Sequence, residues 1–188
     1  AFQEYVEEAS DGLITVNLYP NGQLGADREI LEAIQNNEVT LTVTANAVQA
    51  NFVTDAFILD IPFTFADLQA MRYTLSDPTF LTQMQASYDA ANLRLLGYTD
   101  ANFRVLSCNK AIHSPADLKG MSVRTMENEY HLAAWKAMGA NPTPLAFTEL
   151  YTALQQGTVE GQENPIELIV SQKFYEQQDY VVLTNHLG

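Results

Sequence analysis

The sequence predicts an α/β protein with a parallel sheet, and the main reason lies between residues 115 and 165. Residues 121–124 alternate apolar and polar side chains as a strand does, and residues 127–139 have the acidic start and apolar body of a helix. A short extended segment limited by prolines leads to a second helix at 147–156, and a polar crossing follows at 158–165. The order strand, helix, strand, helix, strand builds a parallel sheet.

The segments before this stretch predict further helices and strands. The chain opens with a helix, and period-two alternation at 14–18 and at 39–43 predicts two half-buried strands. Between these strands, residues 26–36 have the apolar stripe of an amphipathic helix. The apolar run 57–63 is interrupted by one Asp and one Pro, which indicates a buried strand or a connector.

The other predicted elements follow from capping residues and from periodicity. In chain order they are helices at 66–75 and 78–96, a strand at 103–108, a helix start at Ser114 and Pro115, a broken helix at 166–178, and a final strand at 180–184. A polar break at 98–102 precedes the strand at 103–108 and indicates a crossing into a second domain.

The predicted sheet also indicates where a ligand would bind. In open α/β sheets, ligands occupy the crevice beyond the carboxyl ends of the strands. We therefore expect Arg124, the junction of Ala146 with Phe147, and the segment 161–165 to converge there. Residues 44–47 follow the predicted strand at 39–43 and are a second place where a ligand could make contact.

Composition excludes several classes of protein. The 188 residues are 47% hydrophobic and 17% charged, as is typical of a globular protein with a core. The net charge of −14 argues against nucleic acid or an anionic membrane surface as partner. No apolar run in the sequence is long enough to span a bilayer, and no signal segment is present in the given chain. The single cysteine, Cys108, excludes an internal disulfide.

Two arginines are the strongest candidates for ligand binding. Arg104 and Arg124 lie in strand patterns, whereas the other three arginines lie in helical patterns that offer a solvent-exposed face. A planar guanidinium matches a carboxylate through two parallel hydrogen bonds, and such a pair is strong inside a cleft. From the residues alone, a structural ion pair with a nearby acid explains these arginines equally well.

The sequence offers little support for catalysis or for a metal site. Cys108 and His113 lack an evident third residue to orient them, and a cysteine in an apolar strand is usually a packing residue. The histidines occur singly, without the spacing of metal ligands, and no cofactor motif is present. Glu160 and Glu163 could form a carboxylate pair, so a hydrolase that uses either residue remains an alternative.

Five motifs in the same order give the chain a strong resemblance to a known family. Residues 117–124 read DLKGMSVR, residues 139–155 read GANPTPLAFTELYTALQ, and residues 159–165 read VEGQENP. Residues 19–25 and the segments 173–176 and 184–186 continue the match. The chain resembles the extracytoplasmic solute-binding subunits of TRAP transporters, the DctP-like family.

The resemblance implies a fold, a function and a location. The fold would be the two-domain α/β architecture of type II periplasmic binding proteins, with domains at 1–101 and 102–188 and the ligand cleft between them. The protein would capture a small organic acid anion in the periplasm and deliver it to the membrane permease subunits of a TRAP transporter, without catalysis. A sensory ligand-binding module is the alternative outside transport. Compared with the family, the chain resembles a fragment that lacks both ends, so we also expect an exposed sheet edge and a possible dimer.

The resemblance also implies which residues bind the ligand. Arg124 would hold the ligand carboxylate with help from Arg104, Asn164 would supply amide donors, and Phe147 an apolar wall. On the first-domain side, Asp27 matches an acidic position near the ligand of sialic-acid binders. Those binders have a glutamate where this chain has Ala45, which is followed by Asn46, a further candidate contact. This departure argues against sialic acid and favours smaller organic acids.

Overall fold

The structure, a computed structural model, describes residues 1–188. Its α-helices are α1 (Phe2–Ala9), α2 (Asp27–Gln35), α3 (Asn46–Gln49), α4 (Leu68–Ser76), α5 (Pro78–Ala90), α6 (Glu129–Ala137), α7 (Phe147–Gln155) and α8 (Ile166–Ser171). Its strands are β1 (Arg104–Cys108), β2 (Ser122–Thr125), β3 (Asn141–Pro144), β4 (Gly161–Pro165) and β5 (Tyr180–Leu187). Short 3-10 helices occur at Thr54–Asp60, Pro115–Leu118 and Phe174–Glu176. None of the helices has the length and apolar character that crossing a membrane requires.

The five strands form one sheet in the order β3-β2-β4-β1-β5. Strand β2 pairs in parallel with both β3 and β4, which confirms the predicted parallel arrangement. Strands β1 and β5 extend the sheet with antiparallel pairing, which the sequence did not predict. Strand β3 contains Pro142 and Pro144, which cannot donate backbone hydrogen bonds, and accordingly it lies at the edge of the sheet.

Each face of the sheet is covered by its own hydrophobic cluster. Because side chains alternate along a strand, Val105 and Leu106 of β1 enter different clusters. Val105 packs with residues of α7 and α8, including Leu150 and Ile169. Leu106 packs with Cys108 and with Trp135 of α6. Cys108 is therefore a buried packing residue, and helices cover both faces of the sheet.

A third cluster stabilises the first half of the chain. It consists of Ala50, Val53, Ala56, Met84, Tyr88 and Leu93. Helix α5 begins as predicted, with Pro78 in its first turn and Asp77 accepting hydrogen bonds from the backbone N–H groups of Thr79 and Phe80. It ends at Ala90 rather than at residue 96, because Asn92 has a left-handed φ of 57° and Leu93 N donates to Tyr88 O.

The predicted strands at 14–18 and 39–43 are wrong in this structure. Neither segment forms regular secondary structure, because no strand of the chain pairs with either and a strand requires a partner for its backbone hydrogen bonds. Val16 N donates instead to the Glu7 side chain. Ile14 is 54% exposed, Leu18 59% and Val43 83%, so much of the apolar surface of these segments is not covered.

The segment 57–63 does not form the buried strand that we considered for it. Its first residues belong to the 3-10 helix Thr54–Asp60, and Phe63 N donates to His186 O. Asp60 is buried and accepts hydrogen bonds from Asn46 and from the ring of His131, so its carboxylate is satisfied by distant side chains. This long-range pairing, which the local pattern cannot reveal, favours the helical turn.

Hydrogen bonds join the first half of the chain to the second beside helix α6. Asn128 caps α6 by accepting from the backbone N–H groups of Tyr130 and His131, and its Nδ2 donates to Ala47 O at 3.1 Å. Asn51 Nδ2 donates to Glu127 O at 2.7 Å. These contacts tie the segment around helix α3 to the start of helix α6.

Candidate functional site

A cavity of about 290 Å³ lies at the carboxyl ends of β2, β3 and β4. Its polar lining comes from both halves of the chain and comprises Asp27, Arg28, Glu29, Thr44, Arg104, Arg124, Glu127 and Asn164. Its apolar lining includes Met126, Leu145, Ala146, Phe147 and Leu168. The three places that we expected to converge, Arg124, the junction of Ala146 with Phe147, and Asn164 in segment 161–165, all contribute to this wall.

Arg124 is the most deeply buried charged group of the cavity. Its side chain is 2% exposed, and its Nε and Nη2 donate to Leu145 O at 2.8 and 2.6 Å. Its Nη1 is buried and has no hydrogen-bond partner. Burial lowers the pKa of Arg124 to about 10, so the guanidinium remains charged at neutral pH. A buried cation with a free donor has a strong unmet need for an acceptor.

Arg104 lies beside Arg124 but already has a counter-charge. Its Nε and Nη2 donate to the carboxylate of Glu163, and Nη2 also donates to Glu163 O and to Asn164 Oδ1. His186 Nε2 lies 3.2 Å from Glu163 Oε2. Burial alone would raise the pKa of Glu163, but the charge of Arg104 and the hydrogen bonds from His186 and Arg104 hold this pKa well below its ordinary range.

Asn164 and Phe147 complete the wall that the second half of the chain provides. Asn164 accepts from Arg104 through Oδ1 and donates to Gln162 Oε1 through one of its two amide hydrogens. The ring centroid of Phe147 lies 6.0 Å from Arg124 Cζ, which places the guanidinium over the ring face. Phe147 also packs edge-on against Phe174 at 6.2 Å, so its ring is held from behind.

The first half of the chain contributes Asp27, Arg28 and Thr44. The Asp27 carboxylate lines the cavity, and Thr44 Oγ1 is buried there without a hydrogen-bond partner. Arg28 Nε donates to Glu127 Oε2 at 2.8 Å across the cavity mouth. Sequence reasoning assigned Arg28 to a solvated helix face, because nothing local indicates a partner 99 residues away.

Asn46 is the one predicted contact that the structure does not bring to the cavity. Its Nδ2 donates to Asp60 Oδ2 at 2.6 Å and to Ala56 O at 2.9 Å, which turns the amide into the first-half core. The backbone before it reaches the cavity instead, through Thr44 and Ala45. Thr44 was inside the predicted contact segment 44–47, but nothing in the sequence distinguished it from Asn46.

The residues considered for catalysis have structural partners. Glu163 is bound by Arg104 and His186, and the exposed Glu160 accepts hydrogen bonds from Ser122 N and Oγ. Cys108 Sγ donates to Lys110 O, and burial raises the pKa of its thiol. No three or more His, Cys, Asp or Glu side chains are grouped so that they could hold a metal ion.

Comparison with known proteins assigns the chain to a family. The sequence model of the DctP family, described as bacterial extracellular solute-binding protein, family 7, matches residues 1–188. A solute-binding protein of Verminephrobacter eiseniae is 41% identical over 187 residues, which are 99% of this chain and 56% of that protein. The chain therefore spans just over half of that relative.

Two solved structures of TRAP periplasmic solute-binding proteins share the fold. The protein from Polaromonas sp. JS666, bound to D-erythronate, has a TM-score of 0.94 and 38% identity, over 99% of this chain and 61% of that one. The protein from Bordetella bronchispeptica, with density assigned to pantoate, has a TM-score of 0.94 and 37% identity, over 99% of this chain and 62% of that one. The match over all 188 residues and the likeness to these two structures show the type II periplasmic-binding fold, and the chain belongs to the DctP family of bacterial extracellular solute-binding proteins.

Proposed function

We propose that the protein captures a small organic acid anion by its carboxylate and delivers it to the permease subunits of a TRAP transporter in the periplasm. The observation that carries the proposal is the free, buried Nη1 of Arg124 in the wall of the cavity. An anion bound there supplies the missing acceptor and neutralises a charge that burial leaves poorly solvated.

The geometry prepares Arg124 for this role before the ligand arrives. Because Nε and Nη2 are both held by Leu145 O, the guanidinium plane is fixed and Nη1 is left wholly unbonded for the ligand. Arg104 also has an Nη1 without a protein partner, and Asn164 retains one amide hydrogen. Donors on three strands, β1, β2 and β4, can thus contact one carboxylate at little entropic cost.

The relatives support a carboxylate as the recognised group. D-erythronate and pantoate, which the two solved relatives bind, each carry one carboxylate, with three and two carbon-bound hydroxyl groups respectively. The cavity is at the small end of the range that holds drug-sized ligands, as suits an acid of few carbons.

We further propose that the ligand lies between two domains, 1–101 and 102–188, which close around it. In support, the cluster of Ala50 and Tyr88 draws only on residues before this boundary, and the clusters on the sheet faces draw only on residues after it. The cavity wall takes residues from both parts. Hinge closure of two such parts is a common response to a bound ligand.

Binding without catalysis is the simpler account of the carboxylates. A hydrolase needs a carboxyl group that can donate or accept a proton near neutral pH. The pKa of Glu163 is held low by Arg104 and His186, and Glu160 is occupied with Ser122, so neither residue suits that role.

Titration calorimetry with acids and their neutral lactones tests the proposal. D-erythronate and pantoate have lactones of nearly the same size that lack the charged group. We expect at least one acid to bind, its lactone to bind at least about a hundredfold more weakly, and the acid to be recovered unchanged after incubation. Equal affinity for an acid and its lactone would contradict carboxylate recognition, and a changed acid would indicate an enzyme.

A further inference from the structure

Two of the three arginines that line the cavity are already paired with an acid. Arg28 is bound to Glu127 across the mouth, and Arg104 is bound to Glu163 behind the wall. The remaining charged residues of the lining are Arg124, Asp27 and Glu29. Arg124 is therefore the only arginine of the lining without an acidic partner. One carboxylate can be matched by this cation, and no second cation is free.

Asp27 is an uncommitted acceptor in the same wall. It is the first residue of α2, where a negative charge also interacts favourably with the helix dipole. The hydrogen bond at this helix end is made by Glu29, whose Oε2 accepts from Ala26 N at 2.9 Å. The Asp27 carboxylate accepts no hydrogen bond within the protein, although its charge is close enough to raise the pKa of Arg124 against the effect of burial. Its carboxylate oxygens therefore have no donor within the protein, and the residue lines the cavity.

Thr44 adds a second unpaired polar group on the first-half wall. Its Oγ1 is buried and has no partner, while Thr44 O is occupied by Gln49 Nε2. A hydroxyl can both donate and accept, so Thr44 complements another hydroxyl. The Asp27 carboxylate can only accept, which suits a ligand hydroxyl and not a carboxylate, and Thr44 can exchange hydrogen bonds with a hydroxyl.

We propose that this wall makes the cavity selective for hydroxylated monocarboxylates, with Asp27 as the residue that rejects dicarboxylates; this inference rests on the proposed binding of a carboxylate at Arg124. Hydroxyl groups of the ligand donate to Asp27 and exchange hydrogen bonds with Thr44. A second carboxylate finds no free cation, loses its water, and faces the like charge of Asp27.

A series of four-carbon acids isolates each part of the proposal. D-erythronate has one carboxylate and three hydroxyls, butyrate has the carboxylate alone, and L-malate has two carboxylates and one hydroxyl. By calorimetric titration of the protein near pH 7, we expect butyrate and L-malate each to bind at least about tenfold more weakly than D-erythronate. L-malate that binds as tightly as D-erythronate would overturn the inference.

Three variants assign the selectivity to residues. Asp27→Asn removes the charge. It should lower the ratio of the affinity for D-erythronate to the affinity for L-malate by at least about tenfold. Thr44→Val should weaken the binding of D-erythronate and leave the affinity for butyrate unchanged. Glu32→Gln is the matched control, because it removes one negative charge from the exposed face of α2 outside the cavity lining. If Asp27→Asn and Glu32→Gln show the same ratio of affinities for D-erythronate and L-malate, the role of Asp27 is overturned.

The outcomes separate this inference from the proposed function. If none of these acids, nor pantoate, binds the wild-type protein, carboxylate capture fails and the inference fails with it. If monocarboxylates and dicarboxylates bind alike, carboxylate capture stands and only the selectivity is wrong. A thermal melt of each variant shows that a lost affinity is not lost folding.

Discussion

Arg104 and Glu163 form a buried ion pair between neighbouring strands of the sheet. Glu163 lies opposite Leu106 in the register of β4 with β1, and its carboxylate receives Nε and Nη2 of Arg104. His186 of β5 contacts the same carboxylate from the other side. The pair holds the guanidinium of Arg104 beside the cavity while neutralising it, and this leaves Arg124 as the open anion site.

Breaking this pair should destabilise the protein strongly. Glu163→Gln leaves the charge of Arg104 without compensation in a buried place, which costs about 3–5 kcal/mol of unfolding free energy. Urea denaturation followed by circular dichroism measures the change. Glu160→Gln is the control, since Glu160 is exposed and its loss should cost about 1 kcal/mol or less. Equal losses for the two variants would contradict the structural role of the pair.

The same pair predicts how stability depends on pH. The folded pKa of Glu163 lies below its ordinary value of 4.5, so the unfolded chain binds the proton more readily. The stabilisation by ionised Glu163 is therefore complete above the unfolded pKa and is lost as pH falls through the folded pKa. In urea titrations, the stability difference between wild type and Glu163→Gln should be constant near pH 7 and shrink below pH 4.5. A difference that grows in acid would contradict this sign.

The salt bridge between Arg28 and Glu127 should slow ligand release. It joins two residues 99 positions apart across the cavity mouth, and its side chains are 42% and 39% exposed, so solvent weakens it. We expect Glu127→Gln to speed ligand dissociation in stopped flow by about twofold to fivefold, with little change in melting temperature. Asp89→Asn, which removes the exposed pair with Arg94, is the control. An unchanged dissociation rate in Glu127→Gln would show that the salt bridge does not influence ligand release.

Asn128 should contribute more to stability than an ordinary helix cap. Asp77→Ala removes only the cap of α5 and should cost about 1 kcal/mol. Asn128→Ala removes the cap of α6 and also the hydrogen bond to Ala47 O, for which Asn51 Nδ2 at 3.4 Å is a poor substitute. We expect a loss of about 2–3 kcal/mol by chemical denaturation. Equal losses would show that the bond between the two halves adds nothing.

Local sequence signals were sufficient for most of the second half of the chain. Strands β1, β2 and β5 and helices α6 and α7 were predicted within a few residues, because alternation, capping residues and terminal glycines all agree there. The antiparallel pairing of β1 with β4 and β5 joins residues more than fifty positions apart and leaves no local trace. For the same reason, alternation at 14–18 and 39–43 indicated strands although the chain supplies no partner.

The site was predicted unevenly. Arginines placed in strand patterns drew attention to Arg104 and Arg124, and the structure brings both to the cavity with Asn164, Phe147 and Asp27. The sequence cannot show which arginine is already neutralised, because the Glu163 partner depends on strand order. Nor can it show that Asn46 turns towards Asp60 while Thr44 faces the cavity. That these residues bind the ligand stays a prediction.

Calorimetric titration of Arg124→Lys tests the central claim most directly. Lysine keeps the charge but lacks the planar guanidinium, whose Nε and Nη2 hold Leu145 O and leave Nη1 for the ligand. With the acid that the wild-type protein binds best, we predict a loss of about 2–5 kcal/mol, or about thirtyfold to several thousandfold in affinity. Arg94→Lys, an exposed exchange of the same kind, should bind as wild type does. Binding by a folded Arg124→Lys variant within about threefold of wild type would contradict the account.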